Sequence, residues 1–405
     1  MMNWKLFWDI LSIDSTSGRE RTLSDWLLEH LEAPSKQAFD VGDGTQNLLL
    51  SWGTPRVVFC THMDTVPPYI PPVTQWDTLA SLGMTKDKAV IPAWDTLASL
   101  GMTKDKAVIP TERSEGENLI MGRGSCDAKG QIFALYTACK ELEASGFTDF
   151  GLLLLSGEET GSWGAKAFAR TDFRAPYLIV GEPTENRMVS AAKGTLSYDL
   201  RFTGQAFHSG YPQYGVSAVD LFNQFYNRLK TKDFGTDSLL GDTTWNVGLL
   251  HSDNPQNILS PELTCRLYFR TTFVSHQAVQ DWMREMAGQA GHDGNGTAGH
   301  DRNGQAGHDG TPGQETNPVT PGMTGRLAVT ARGGDVPARY FTLEGFASAP
   351  VAFGSDAPHL SNFTHRAICG PGSIRHAHRP DEQISAEELE TAVAQYVSMY
   401  KQIIR

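Results

Sequence analysis

Residues 151–162 read GLLLLSGEETGS. Four consecutive leucines, Leu152 to Leu155, suit a strand covered on both faces, as in a parallel sheet packed between helices. Two adjacent acids, Glu158 and Glu159, follow almost at once. Charged side chains mostly face solvent, so such a pair taken alone reads as a solvated turn. The remainder of the chain argues for a different role.

Comparable apolar runs recur: VVFCTH at 57–62, YLIVG at 177–181 and AICG at 367–370. Between the first of these and the leucine run lies KGQIFALYTACKELEAS, where Ile132, Leu135, Tyr136, Cys139 and Leu142 follow helical spacing. Strands alternating with helices predict an α/β fold, a mostly parallel sheet with helices packed on it. The pattern changes near residue 190. Alternating strands TLSYDLRFTG, TTWNVGLLH, LTCRLYFRTT and RLAVTAR bracket two amphipathic helices, one with Ala218, Phe222, Phe225 and Leu229 in register. The order β-α-β-β-α-β predicts a small antiparallel α+β domain of ferredoxin-like type inserted into the larger one. The last helix opens at a Ser385/Glu388 capping box.

Composition narrows the function. A chain of 405 residues has room for two domains at ~100–200 residues each. No window nears the ~18 apolar residues of a membrane span, and acids interrupt the N-terminal MMNWKLFWDILSIDS where a signal peptide is apolar. The expected location is the cytoplasm, with no membrane partner. A formal charge of −12 argues against nucleic acid, whose nonspecific affinity comes from clustered Lys and Arg. Five cysteines without CxxC spacing fit neither a disulfide framework nor a thiolate zinc site. Two stretches are anomalous. WDTLASLGMTKDKAVIP stands at 76–92 and again, unchanged, at 94–110, which looks like a recent duplication. The Gly-rich tract at 290–310 carries His292, His300 and His308; it reads as a flexible linker, because widely spaced histidines on such a chain preorganise no metal site.

The acids and histidines fall at strand ends. His62 and Asp64 follow the first strand, Glu158 and Glu159 the second, Glu182 the third and His378 the fourth. Ligands of open α/β sheets bind beyond the carboxyl ends of the strands, so these side chains describe one pocket. Unneutralised carboxylates there would repel by several kcal/mol; divalent cations remove that repulsion. A donor set of N and O suits Zn²⁺, with Co²⁺ or Mn²⁺ as substitutes, and the acids outnumber what one tetrahedral ion needs. Asp127 opens the helix over the sheet. Alone it reads as an N-cap, yet its two oxygens also suit bridging ions ~3.5–4 Å apart. His376 competes with His378 as the imidazole ligand.

The motifs HMD at 62–64, GRGSCDAKG at 122–130, SGEETGS at 156–162, GEPT at 181–184 and AHRPDE at 377–382 together resemble the M20 family of dizinc aminoacylases and peptidases. The ending GPGSI followed by AHRPDE looks most like its acetylornithine deacetylase branch. The resemblance spans the chain apart from the two repeat insertions. It implies a catalytic domain in two segments, 1–189 and 334–405, around a lid and dimerisation domain at 190–333 that holds the His/Gly-rich insertion at 288–322. It implies two Zn²⁺: His62 and Glu182 on one, Glu159 and His378 on the other, Asp127 bridging. His378 is preferred because it directly precedes Arg-Pro-Asp-Glu. Asp64 would accept the remaining ring N–H of His62, and Glu158 would be the general base that takes a proton from the attacking water and passes it to the leaving amine. His208 in AFHSGYP matches the histidine that stabilises the oxyanion. Asn257 and Arg270 match substrate-contacting positions, Arg270 as a carboxylate clamp, and the turn of Gly370, Gly372 and Ser373 offers backbone N–H groups to the same carboxylate. The implied activity is removal of an acyl group from a small amino acid, N-acetylornithine or N-acetylcitrulline, by a homodimer. A dipeptidase, a carboxypeptidase or a desuccinylase uses the same chemistry, and a non-catalytic metal-binding protein would have no need of a base at Glu158.

Overall fold

The computed structural model describes residues 2–42, 44–74, 119–289 and 325–405. The duplicated block and the His-rich tract lie outside them. The described residues cluster into two compact units: Met1–Ser190 with Arg339–Pro350 and Ser355–Arg405, and Ala191–Ala338 with Val351–Gly354.

In the first unit the leucine run is the strand Asp149–Leu155, and each of its four leucines is fully buried. It lies inside a six-stranded sheet. On one side it pairs antiparallel with Thr45–Gly53, Leu48 opposite Leu154, and that strand forms a hairpin with Ser35–Gly42. On the other side it runs parallel to Val57–His62, with His62 opposite Leu155. Ala175–Val180 and then Phe363–Ile368 continue the parallel part. The fold is therefore the expected mostly parallel α/β sheet. Its antiparallel hairpin is the part that strand and helix alternation does not announce.

Burial of one face follows from the helices packed on it. Lys129–Ala144 sets Ile132, Leu135, Cys139 and Leu142 into the core, and packs against the final helix Ala386–Ile404, whose Tyr396 hydroxyl donates to Gln131. Phe133 stacks on Phe7 of the first helix at 4.9 Å. The capping box is formed: Ser385 Oγ accepts the Glu388 N–H and the Glu388 carboxylate accepts the Ser385 N–H. The four parallel strands end at residues 62, 155, 180 and 368, and parallel pairing leaves those ends along one edge of the sheet.

The second unit is a four-stranded antiparallel sheet, in the order Thr244–His251, Glu262–Thr271, Gly194–Thr203, Arg326–Gly333. Two helices, Ala218–Thr231 and His276–Gln289, supply Ala218, Phe225, Leu229, Val279 and Trp282 to a core with Phe202, Leu267 and Phe269. The chain order is the β-α-β-β-α-β expected from the alternation. No helix among the described residues is long and apolar enough to cross a membrane.

Candidate active site

His62 closes its strand and is 1% exposed. Its Nε2 lies 3.0 Å from Asp127 Oδ1. Its Nδ1 lies 2.9 Å from the Asp64 backbone carbonyl and 3.4 Å from Asp64 Oδ1. The carbonyl, rather than the carboxylate expected from the sequence, is thus the nearer partner; a Nδ1–H donated to it turns Nε2 toward Asp127 and the pocket. The Asp64 carboxylate has other work. It accepts the backbone N–H groups of Glu158 and Glu159 at 3.0 and 3.1 Å and the Ser17 hydroxyl at 2.9 Å. One fully buried anion therefore ties the end of the first strand to the acidic loop after the second.

That loop turns sharply at Gly157, whose φ is +72° and where an added Cβ would sit 1.8 Å from the Trp163 indole nitrogen. Only glycine combines a left-handed backbone with so close a neighbour. Beyond it, Glu159 Oε1 lies 2.8 Å from His378 Nε2, which is also 3.3 Å from Asp127 Oδ2. His376, by contrast, turns Nδ1 toward Gln383 at 3.5 Å, so His378 is the one that faces the acids.

Asp127 does not cap its helix; the capping position is Ala128, with no side-chain bond. The Asp127 carboxylate instead reaches both imidazoles. Its loop is held from outside by Glu382, whose Oε1 accepts the N–H groups of Gly124, Cys126 and Asp127. Glu182, 4% exposed after the third strand, has a buried Oε1 without a hydrogen-bond partner. A lone buried carboxylate oxygen is costly unless something outside the chain satisfies it.

Ligand atoms of three trios lie within 4.8 Å of one another: His62, Asp127 and Glu182; Asp127, Glu159 and His378; and His62, Glu158 and Glu159. The first two share Asp127. Charges within the cluster respond strongly. Burial disfavours ionised His62, but its bonds to Asp127 and Asp64 outweigh this and raise its pKa well above the usual range. Bonds to Asp127 and Glu159 raise His378 to about 10. Burial raises the Asp127 and Asp64 carboxyls, yet their imidazole partners prevail and bring both below the ordinary range. Glu158 and Glu182 go the other way: burial, aided by neighbouring acids and opposed by His62, drives both well up. Metal-free, the cluster thus favours the protonated forms of its imidazoles and of these two carboxyls, where cations would otherwise balance charge.

The remaining expected residues are placed as follows. The Gly370 N–H donates to Thr184 Oγ1 at 2.9 Å, so it is not free for a substrate carboxylate, a correction to the sequence expectation. Gly372 takes a left-handed φ of +77°, and Ser373 donates its hydroxyl to Glu185. In the second unit the exposed His208 accepts the Gly210 N–H on Nδ1 at 3.0 Å, which leaves the proton on Nε2. Asn257 is its neighbour, bonding through its carbonyl to the Ser209 N–H. Arg270 lies over the Tyr268 ring, 5.0 Å from its centroid. Sequence reading missed four residues. Ser17, Arg123 and Glu382 bond the ligand loops, and buried Asp356, raised to about 6 mainly by burial, adds charge to the cluster. Of these Arg123 and Glu382 stand in quoted motifs, but their pairing and the bonds of Glu382 to backbone groups are contacts that a motif does not show.

The sequence profile described as Peptidase family M20/M25/M40 matches residues 94–402. A probable carboxypeptidase of Talaromyces marneffei is 28% identical, over 96% of this chain and 83% of its own length. One of Aspergillus oryzae is 27% identical, over 96% and 84%. Among solved structures, a tripeptidase of Staphylococcus aureus superposes with a TM-score of 0.68 at 15% identity, covering 98% of this chain and 96% of that one. With its profile match spanning most of the sequence and the motif residues gathered at one sheet edge, the chain belongs to the M20/M25/M40 peptidase family.

Proposed function

We propose that the protein is a metal-dependent peptidase that removes the C-terminal residue of short peptides. The observation that carries this reading is the pair of ligand trios sharing Asp127 with Glu158 beside them. The carboxypeptidase names of the relatives support peptides over N-acetylornithine, and nothing in those comparisons favours the acetylornithine deacetylase branch. The donor set fits two divalent cations. It holds two imidazoles and three carboxylates, one of them with an orphaned buried oxygen, and it contains no thiolate, as suits zinc with cobalt as substitute.

His62, Asp127 and Glu182 would hold one cation, and Asp127, Glu159 and His378 the other. Bound there, the cations polarise the scissile carbonyl and acidify water. Asp64 orients the acidic loop through the two N–H groups. Glu158 takes the proton of the attacking water and returns it to the leaving nitrogen. The deciding experiment is a panel of dipeptides, tripeptides and N-acyl amino acids with zinc or cobalt. Peptides with a free C-terminal carboxylate should be hydrolysed and their C-terminal amides spared. Preference for N-acetylornithine over every peptide would defeat the reading.

The same electrostatics set a pH dependence. Cations must displace protons from His62, His378 and Glu182, all raised in the metal-free protein. Affinity therefore climbs with pH, about tenfold per unit for each proton displaced, until His378 deprotonates by itself near its value of about 10. Calorimetric titration with Zn²⁺ at two pH values between 6 and 8 reads this directly; equal affinities would contradict it.

A further inference from the structure

We infer that Glu382 is a positioning residue for Asp127, so that the turn carrying His378 also fixes the carboxylate shared by the two trios; this rests on the two-cation reading. Glu382 is 1% exposed. A single oxygen, Oε1, accepts the N–H groups of Gly124 at 3.0 Å, Cys126 at 3.1 Å and Asp127 at 2.9 Å. The other, Oε2, pairs with Arg123 at 2.6 Å, and the backbone carbonyl of Glu382 accepts the Gly122 N–H at 3.0 Å. Arg123 is itself buried and donates to the carbonyls of Pro68 and Arg379. The segment 122–127 forms turns, with neither ladder nor helix to orient it. Its shape is set by bonds to a charged acceptor, roughly twice as strong as neutral ones.

The placement matters beyond loop stability. Asp127 sits at the end of the anchored segment, its N–H on Glu382 and its Oδ2 3.3 Å from His378. His378 and Glu382 belong to one turn, which the Arg379–Asp381 pair braces with two bonds of 2.7 Å. Altering the Glu382 side chain alone would thus move the shared ligand relative to an imidazole that the braced turn still holds.

The test uses the full chain, stripped of metal and titrated with Co²⁺, reading stoichiometry, affinity, visible absorption and Tm. Glu382→Gln removes the charge beside Arg123. Glu382→Asp keeps the charge but is one methylene short of the three amides, and serves if the glutamine variant fails to fold. A folded variant is expected to lose about 10- to 100-fold in affinity for the second cation, the usual cost of an outer-sphere partner, with a changed Co²⁺ spectrum. A folded variant with both affinities and the spectrum of the parent overturns the proposal. Arg379→Ala loosens the turn without touching the amides and should lose less affinity than the Glu382 variants; an equal loss there assigns the effect to the turn in general and also overturns it. If the parent takes up no second cation, the two-cation reading fails instead, and the titration of the parent shows this separately.

Discussion

Glu158→Ala is expected to lower turnover by ~10²- to 10⁴-fold while metal content stays that of the parent. The separation of the two effects follows from how the loop is held. Its backbone bonds do not involve the Glu158 side chain: the N–H donates to Asp64, and the carbonyl accepts from Gly161 and Ser162. Truncation therefore leaves the Asp64 anchor and Glu159 in place. What it removes is a carboxyl pushed well up by burial and by Asp356, Glu159 and Asp127, against the pull of His62. A pKa raised in this way makes the carboxylate the stronger proton acceptor, as suits a general base. The check is kcat alongside elemental analysis of the same sample, and the acid limb of the kcat/KM profile should shift or vanish. Turnover within tenfold of the parent would remove Glu158 from the chemistry.

Asp127→Asn is expected to reach both trios at once. Two divalent ions at the ~3.5–4 Å typical of two-metal hydrolases repel by on the order of 15–20 kcal/mol at an effective dielectric constant of ~20. The acid common to both groups is the anion best placed to offset this. Asparagine preserves the backbone bond to Glu382 and nearly the same shape, but carries no charge. Metal content should fall from two per chain to one or none, and activity at least as far as in Glu158→Ala. Glu182→Ala should be milder in metal loss, since Glu182 belongs to one trio only. An asparagine variant that retains two ions would show that Asp127 does not bridge.

The architecture is legible because burial and periodicity agree. Leu152 to Leu155 are covered on both sides, and the helix Lys129–Ala144 packs in one core with Leu152 and Leu154 on one of them. Strand-end position likewise brings His62, Glu159, Glu182 and His378 together, since parallel pairing puts those ends on one edge. The hairpin Ser35–Gly42 and Thr45–Gly53 escapes because its pairing to the leucine strand is antiparallel, outside the alternation. The contacts of Asp64 and Glu382 escape for a different reason. Both accept several backbone N–H groups, and which amides converge on a carboxylate depends on turn geometry, not on residue type. Gly370 shows the converse: a turn whose N–H looks available is engaged by the Thr184 hydroxyl, which sits far off in sequence. The choice among substrates rests on wall contacts that the motifs do not encode.

The anchoring of Asp127 by a residue 255 positions later has a consequence for biosynthesis. At the ~5–20 residues per second of translation, Asp127 leaves the ribosome tens of seconds before Glu382 and His378 exist. Throughout that interval the emerging polypeptide carries a nucleophile-activating acid but only part of a metal cage. Completion of the metal cage is thereby deferred until the final helix is being made.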